Sequence, residues 1–270
     1  MAGVLGASSP SAWRPLNQDM TLYMRLDQGT VVIELAPQFA PRHVANIRTL
    51  VGEQYFDGLF IIRSQDNYVA QWGDPNADTE SERELGSALP RLSAEFYRDR
   101  KGLDFTPVQS DDAYADEVGF VNGFPAGRDD TRAWLTHCYG MLGVGRGNDE
   151  DSGNGTGLYV VTGHAPRHLD RNVTLAGRVV QGMEHLSSLP GGTGPLGFYE
   201  QPDDYVPIRS IRMGNDLPED QQLQLELLKT DTKTFDQLVD ARRYRREEWF
   251  ADPTGRIGLC NIPLPVRVSH

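Results

Sequence analysis

Residues 55–75 read YFDGLFIIRSQDNYVAQWGDP, and this stretch decides the fold. Leu59 to Gly73 forms two short apolar runs around a polar turn at Ser64 to Asn67, the pattern of two strands joined by a tight turn. Upstream, Val44, Ile47 and Val51 recur at helical spacing with Leu50 beside them. Pro41 suits the first helical turn, where its missing N–H costs little, so an amphipathic helix of about three turns is predicted there. Further back, LYMRL (22–26) and TVVIEL (30–35) are separated by Asp27-Gln28-Gly29 and predict a hairpin over 21–35.

Downstream the pattern breaks. Asp74 to Thr136 is long, polar and irregular, and loops of this length are usually functional or elaborated. Strand-like runs return at Tyr139–Val144, Leu158–Thr162, Thr174–Val180 and Val206–Met213, with a short helix around Gly182–Ser188. The last segment changes character. Thr232 or Thr234 can cap a helix running to Phe250, with Phe235, Leu238, Val239 and Arg242 on one face. Its basic run, Arg242 to Arg246, reads as a solvated helix face. The expected organisation is a flexible lead over 1–19, a mainly β domain over 20–214 with an insertion at about 75–135, and a helical extension over 215–270.

Composition removes several classes of function. Of 270 residues, 26 are Lys or Arg and 38 are Asp or Glu, a net charge of −12 that suits phosphate-backbone binding poorly. At 39% hydrophobic and 24% charged, the chain is balanced as a soluble globule is. No apolar run approaches the roughly 20 residues of a membrane-spanning helix. The N-terminus lacks the basic and apolar regions of an intact signal peptide. Cys138 and Cys260 are too few for a disulfide scaffold and match no zinc pattern. They are either two inert thiols or one staple between distant segments.

Common catalytic motifs are also missing. Asp149-Glu150-Asp151 lacks the alternating ligands and closing Glu of a calcium loop. His164 and His168 are four apart, but Pro166 between them denies the helix a zinc pair needs. The glycines of 145–157, GRGNDEDSGNGTG, are not followed by Gly-Lys-Ser/Thr, so this is no P-loop. No metal or cofactor is expected.

In its order of motifs the chain resembles the cyclophilin family of peptidyl-prolyl cis–trans isomerases over roughly residues 20–214. The helix APRHVANIRTL (40–50) carries Pro and Asn at family-like places. YFDGLFIIRSQDNYVAQWGDP stands where the family has aromatic-Asp/Lys-Gly-x-x-Phe-His-Arg, an aromatic, then Gln-Gly-Gly-Asp. GMLGVGRG (140–147) stands where it has a Gly-x-Leu-x-Met-Ala-x-Ala strand, and GTGLYVVTG (155–163) where it has Gly-Ser-Gln-Phe-Phe-Ile. HLDRNVTLAGRVVQGME (168–184) matches the closing Leu-Asp and Phe-Gly-x-Val segment. The resemblance implies a closed eight-stranded antiparallel β-barrel with two capping helices, here with the C-terminal helical extension.

The chemistry explains why these residue types are needed. An Xaa-Pro bond rotates over a barrier of about 18–20 kcal/mol, set by amide resonance. No covalent bond breaks, so neither nucleophile nor metal is required. In the twisted state the prolyl nitrogen regains its lone pair, and a donor aimed at it lowers the barrier. The resemblance assigns that role to Arg63, a planar and permanent cation, with Gln71 orienting it and holding substrate backbone. Tyr68, Tyr159 and Leu169 would wall an apolar slot for the proline ring, and Gly145 and Gly147 would let substrate backbone approach.

Four positions depart from the family. Arg146 stands in place of Asn, Gly157 in place of a substrate-holding Gln, His168 in place of the Trp common in eukaryotic members, and Val173 in place of a His. Activity on Xaa-Pro segments of client polypeptides is expected, weakened by these changes, with poor affinity for cyclosporin. A cyclophilin-like chaperone or scaffold, weakly active or inactive, is the competing class. Resemblance to bacterial secreted members points to the periplasm, with the cytoplasm as alternative. A Cys138–Cys260 bond would favour the former.

Overall fold

Alternating apolar runs and short turns build the strands. A computed structural model of the chain, describing residues 2–269, closes eight of them into a barrel. In chain order they are β1 (Thr21–Leu26), β2 (Gly29–Leu35), β3 (Phe60–Ser64), β4 (Val69–Gly73), β5 (Met141–Val144), β6 (Leu158–Val161), β7 (Leu175–Gln181) and β8 (Val206–Met213). Around the barrel the order is β5-β6-β4-β3-β8-β1-β2-β7, closing back on β5, and each neighbouring pair is antiparallel. Closure leaves none of these strands with an open edge.

Four helices are described: α1 (Ala2–Gly6), α2 (Pro41–Gly52), α3 (Glu184–Ser187) and α4 (Lys233–Arg243). The barrel interior is filled by side chains such as Leu22, Ile33, Ile61, Trp72 and Val160. α2 adds Val44, Ile47, Leu50 and Val51 to that core, and α3 adds Leu186. Each such fully buried side chain stabilises the fold by about 1.5–3 kcal/mol relative to exposure. Ala40 offers α2 no side-chain cap, so the carboxylate of Glu95 accepts instead from the Arg42 and His43 amides, at 3.1 and 3.0 Å. No helix among the described residues is long and apolar enough to cross a membrane.

The chain divides into two compact units. One holds the barrel, residues 17–98 and 134–222; the other gathers the described parts of 1–16, 99–133 and 223–270. This partition replaces the linear organisation expected from the sequence. The lead is structured: Trp13–Pro15 pairs with Leu225–Leu228, which also pairs with Val266–Val268, in an antiparallel sheet. The C-terminal segment is therefore mixed rather than helical. Its helix α4 starts at Thr232, whose hydroxyl accepts from the Phe235 amide at 3.3 Å, and ends at Arg243 instead of Phe250. The apolar stripe of α4 stops with Val239, so a continuation would have no face to bury. Within the insertion, Phe105–Val108, Glu117–Val121 and Phe124–Arg128 form an antiparallel meander. Its second turn is Asn122-Gly123, both at positive φ (50° and 83°).

Candidate active site

The site begins with a β-bulge. Ile61 lies opposite Trp72, and Arg63 lies opposite Gln71, so two residues of β3 face one of β4. In a regular strand Arg63 would share the face of Ile61 and point into the barrel. The bulge turns it to the outer face, on the side of Gln71, a common use of bulges beside functional sites. The register then continues the row: Gln71 opposes Tyr159 of β6, and Tyr159 opposes Gly143 of β5. Arg63, Gln71, Tyr159 and Gly143 are thus neighbours across four strands, while Ala70, Trp72, Leu158 and Val160 fill the interior.

Arg63 is held on three sides. Its Nη1 donates to Gln71 Oε1 at 2.9 Å, Nε to the Leu196 carbonyl at 2.7 Å, and Nη2 to Gln65 Oε1. Its guanidinium carbon lies 5.7 Å from the Tyr68 ring centre and 5.3 Å from that of Phe198. Burial draws its pKa below the ordinary arginine value, and interactions with Tyr68 and Tyr159 oppose that shift. The group stays a cation at any physiological pH. With Gln71 Oε1 occupied by the arginine, the glutamine's amide hydrogens are left for another acceptor.

Beside this pair lies a small apolar cluster of Val69, Tyr159 and Val161, against which Tyr68 and Val173 pack. His168 stacks on Tyr68, 6.3 Å between ring centres and 7° from parallel. The Tyr159 ring requires Gly143, since a Cβ there would sit 2.1 Å from ring atom Cζ. The Tyr159 hydroxyl contacts His137 Nε2 at 2.8 Å, and burial pushes its pKa far above the usual phenol range.

Several residues expected from the sequence are placed differently from the row. Gly145 lies next to Gln71: a Cβ on it would come 3.3 Å from Gln71 Nε2. Arg146 is engaged locally, Nε donating to the Asn172 carbonyl at 2.9 Å and Nη1 to those of Gly147 and Asn148 at 2.9 and 3.2 Å. The Gly147 amide donates to Ser152 Oγ at 2.9 Å. Leu169 is half-buried in the 3-10 turn Arg167–Leu169, which also carries the exposed His168. A Cβ on Gly157 would meet nothing within 4 Å. Cys138 and Cys260 are both disulfide-bonded. A cleft of about 660 Å³ lies in the other unit, lined by Val108, Glu117, Arg243 and Ile257 among others, and holds none of the expected site residues.

Sequence reasoning missed Gln65, Leu196, Phe198 and His137. Gln65 stands two positions from Arg63, a spacing that puts two strand residues on one face and was readable. Leu196 acts through its backbone, and Phe198 and His137 arrive from distant segments without a motif.

The closed barrel and its outer arginine–glutamine row define a cyclophilin-like fold. Residues 21–213 match the family model described as cyclophilin type peptidyl-prolyl cis-trans isomerase/CLD. The chain belongs to this family and is a peptidyl-prolyl cis-trans isomerase. The crystal structure of cyclophilin AquaCyp293 from Hirschia baltica superposes with a TM-score of 0.76 at 28% identity, covering 97% of this chain and 96% of that one. A probable peptidyl-prolyl cis-trans isomerase of Brucella suis is 25% identical over 194 residues, covering 69% of this chain and 80% of the relative. A peptidyl-prolyl cis-trans isomerase-like 4 protein of Mycosarcoma maydis is 26% identical over 195 residues, 72% of this chain but 33% of the relative.

Proposed function

We propose that this isomerase rotates Xaa-Pro bonds of client polypeptides during folding by donating from Arg63 to the prolyl nitrogen. Three of the five guanidinium N–H groups are engaged by Gln71, Gln65 and Leu196, which leaves one hydrogen on each Nη. A proline seated against Tyr68, Tyr159 and Val173 would bring its nitrogen to those hydrogens. The twisted amide accepts more strongly than the planar one, so the interaction favours the transition state over the ground state. Gln71 would hold the substrate through its free amide hydrogens, and Gly145 would leave room for the peptide backbone. Leu169 and His168 would close the slot from the 3-10 turn.

The observation that carries this reading is the bulge at β3, which sets Arg63 on the outer face in register with Gln71. The test is a proline-limited refolding assay comparing the natural chain with Arg63→Ala. Catalysis by the former and its loss in the latter is expected. Equal rates for the two would remove Arg63 from the mechanism.

A chaperone or scaffold role is favoured by the engaged donors of Arg146 and the missing side chain at Gly157, both of which thin the substrate contacts. Suppression of the aggregation of a proline-free client, unchanged in Arg63→Ala, would support it. Periplasmic residence is our further reading. It is supported by the resemblance to secreted bacterial members and by the disulfide-bonded state of Cys138 and Cys260, which suits an oxidising compartment. Recovery of the chain in a cytosolic fraction with reduced thiols would end it.

A further inference from the structure

We propose that His137 is a positioning residue that ties the Tyr159 ring to the Arg167–Asp170 turn and so sets the shape of the proline slot. The proposal rests on the isomerase reading above. Tyr159 is only 6% exposed, and its hydroxyl meets His137 Nε2 at 2.8 Å, with the two rings 6.3 Å apart and 12° from parallel. On the other side of the imidazole, Nδ1 lies 2.9 Å from Asp170 Oδ1, which also accepts from the His137 amide at 2.9 Å. Asp170 Oδ2 accepts from Arg167 Nε at 2.5 Å. All four side chains are buried.

The chemistry of these groups orders the hydrogens. An ionised carboxylate only accepts, so Nδ1 carries the imidazole proton. Burial lowers the His137 pKa, against the pull of Asp170, and keeps the ring neutral. Nε2 is then an acceptor, and the Tyr159 hydroxyl donates to it. That hydroxyl is spent on the protein and presents only the ring to a substrate.

The chain of bonds links two walls of the slot. Tyr159 belongs to the Val69–Val161 cluster on β4 and β6. Asp170 closes the 3-10 turn, its amide donating to the Arg167 carbonyl at 3.0 Å, and that turn carries Leu169 and the His168 that stacks on Tyr68. Gly143 fixes the ring from the opposite strand. A phenylalanine at 159 would pack in the same row without this tie. Here the hydroxyl, through His137, holds the ring and the turn at a set separation.

The experiment compares the natural chain, Arg63→Ala, His137→Phe, Tyr159→Phe and the His137/Tyr159 double variant. It measures kcat and KM on a proline-containing peptide, with thermal melts to establish folding. The imidazole nitrogens are followed by NMR, with the dipeptide Ala-Pro as probe. His137→Phe is expected to raise KM about tenfold with kcat within about twofold, because the Arg63–Gln71 pair is untouched. Tyr159→Phe breaks the same bond from its other end, so the double variant should be no worse than His137→Phe alone. The His137 Nε2 resonance should move when Ala-Pro saturates the chain and stay still in Tyr159→Phe. If His137→Phe does not fold, Tyr159→Phe carries the test through KM and the resonance. Folded variants with unchanged KM and a silent imidazole, beside an active natural chain and an inactive Arg63→Ala, would overturn the proposal alone. A natural chain without isomerase activity would remove the isomerase reading and this proposal together.

Discussion

The β3–β4 corner and the loop residues between Gly145 and Val173 border the same site, and different forces hold them. At the corner, backbone register places Arg63 and Gln71, and three hydrogen bonds clamp the guanidinium. In the loop segment, positions depend on bonds between Arg146 and nearby carbonyls, and between Gly147 and Ser152. On the proposed mechanism, the corner holds the residues that would stabilise a twisted amide. The positions that depart from the family's pattern, Arg146, Gly157, His168 and Val173, lie in the loop segment. The contrast separates turnover from grip: the corner should govern kcat and the loop segment affinity.

The strongest way to break this contrast is Arg63→Ala. It should lower kcat/KM by about 100-fold or more, the usual cost of losing one preorganised transition-state donor. Arg63→Lys should not rescue it, because a point charge cannot keep three clamps and still face the nitrogen. Stopped-flow isomerisation of a proline peptide reads both. Gln71→Leu should cost less, about tenfold, since Gln65 and Leu196 still hold the arginine. A loss as deep as that of Arg63→Ala would mean Gln71 alone positions the cation.

The loop segment should respond in the opposite direction. Gly157→Gln adds a side chain where there is open space and should raise kcat/KM roughly threefold, about the worth of one net hydrogen bond. No gain in KM would show that the segment lies out of a substrate's reach. His168→Trp should tighten cyclosporin binding by titration, with little change in turnover, because His168 is exposed and stacked on Tyr68.

The smallest effect concerns pH. Burial holds His137 below the ordinary imidazole pKa, so the folded chain refuses a proton that the unfolded chain accepts below about pH 6.5. The unfolded state then binds more protons, and this group's contribution to stability falls as pH drops from about 7 to 5. Thermal midpoints should fall over that range, and less in the His137/Tyr159 double variant. An equal fall in both would assign the pH dependence to other groups.

Much of the barrel was legible because its strands are short apolar runs with local turns. The 21–35 hairpin, the helix from Pro41 and the pair around Ser64–Asn67 appear where expected. The hairpin at Asn122-Gly123 was legible too and passed unread: a two-residue Asn-Gly turn between EVGFV and FPAGR is the strongest short-range signal of its kind. The sheet of Trp13–Pro15, Leu225–Leu228 and Val266–Val268 was not, because each strand finds its partner far away along the chain. No local pattern names a distant partner, and the Leu225–Leu228 run alone reads equally well as helix.

By itself the sequence determined the order of the residue types: an arginine at 63, a tyrosine five and a glutamine eight residues after it, then Gly145 and Tyr159. Local periodicity set these residues on short strands and turns, and their roles are what the resemblance to the family implies. Tertiary structure alone decided that Arg63 faces outward, since one extra residue in β3 against β4 inverts a period-two pattern without leaving a mark in composition. It alone brought His137 and Asp170 behind Tyr159, because a buried hydroxyl takes whichever acceptor the closed barrel places within reach.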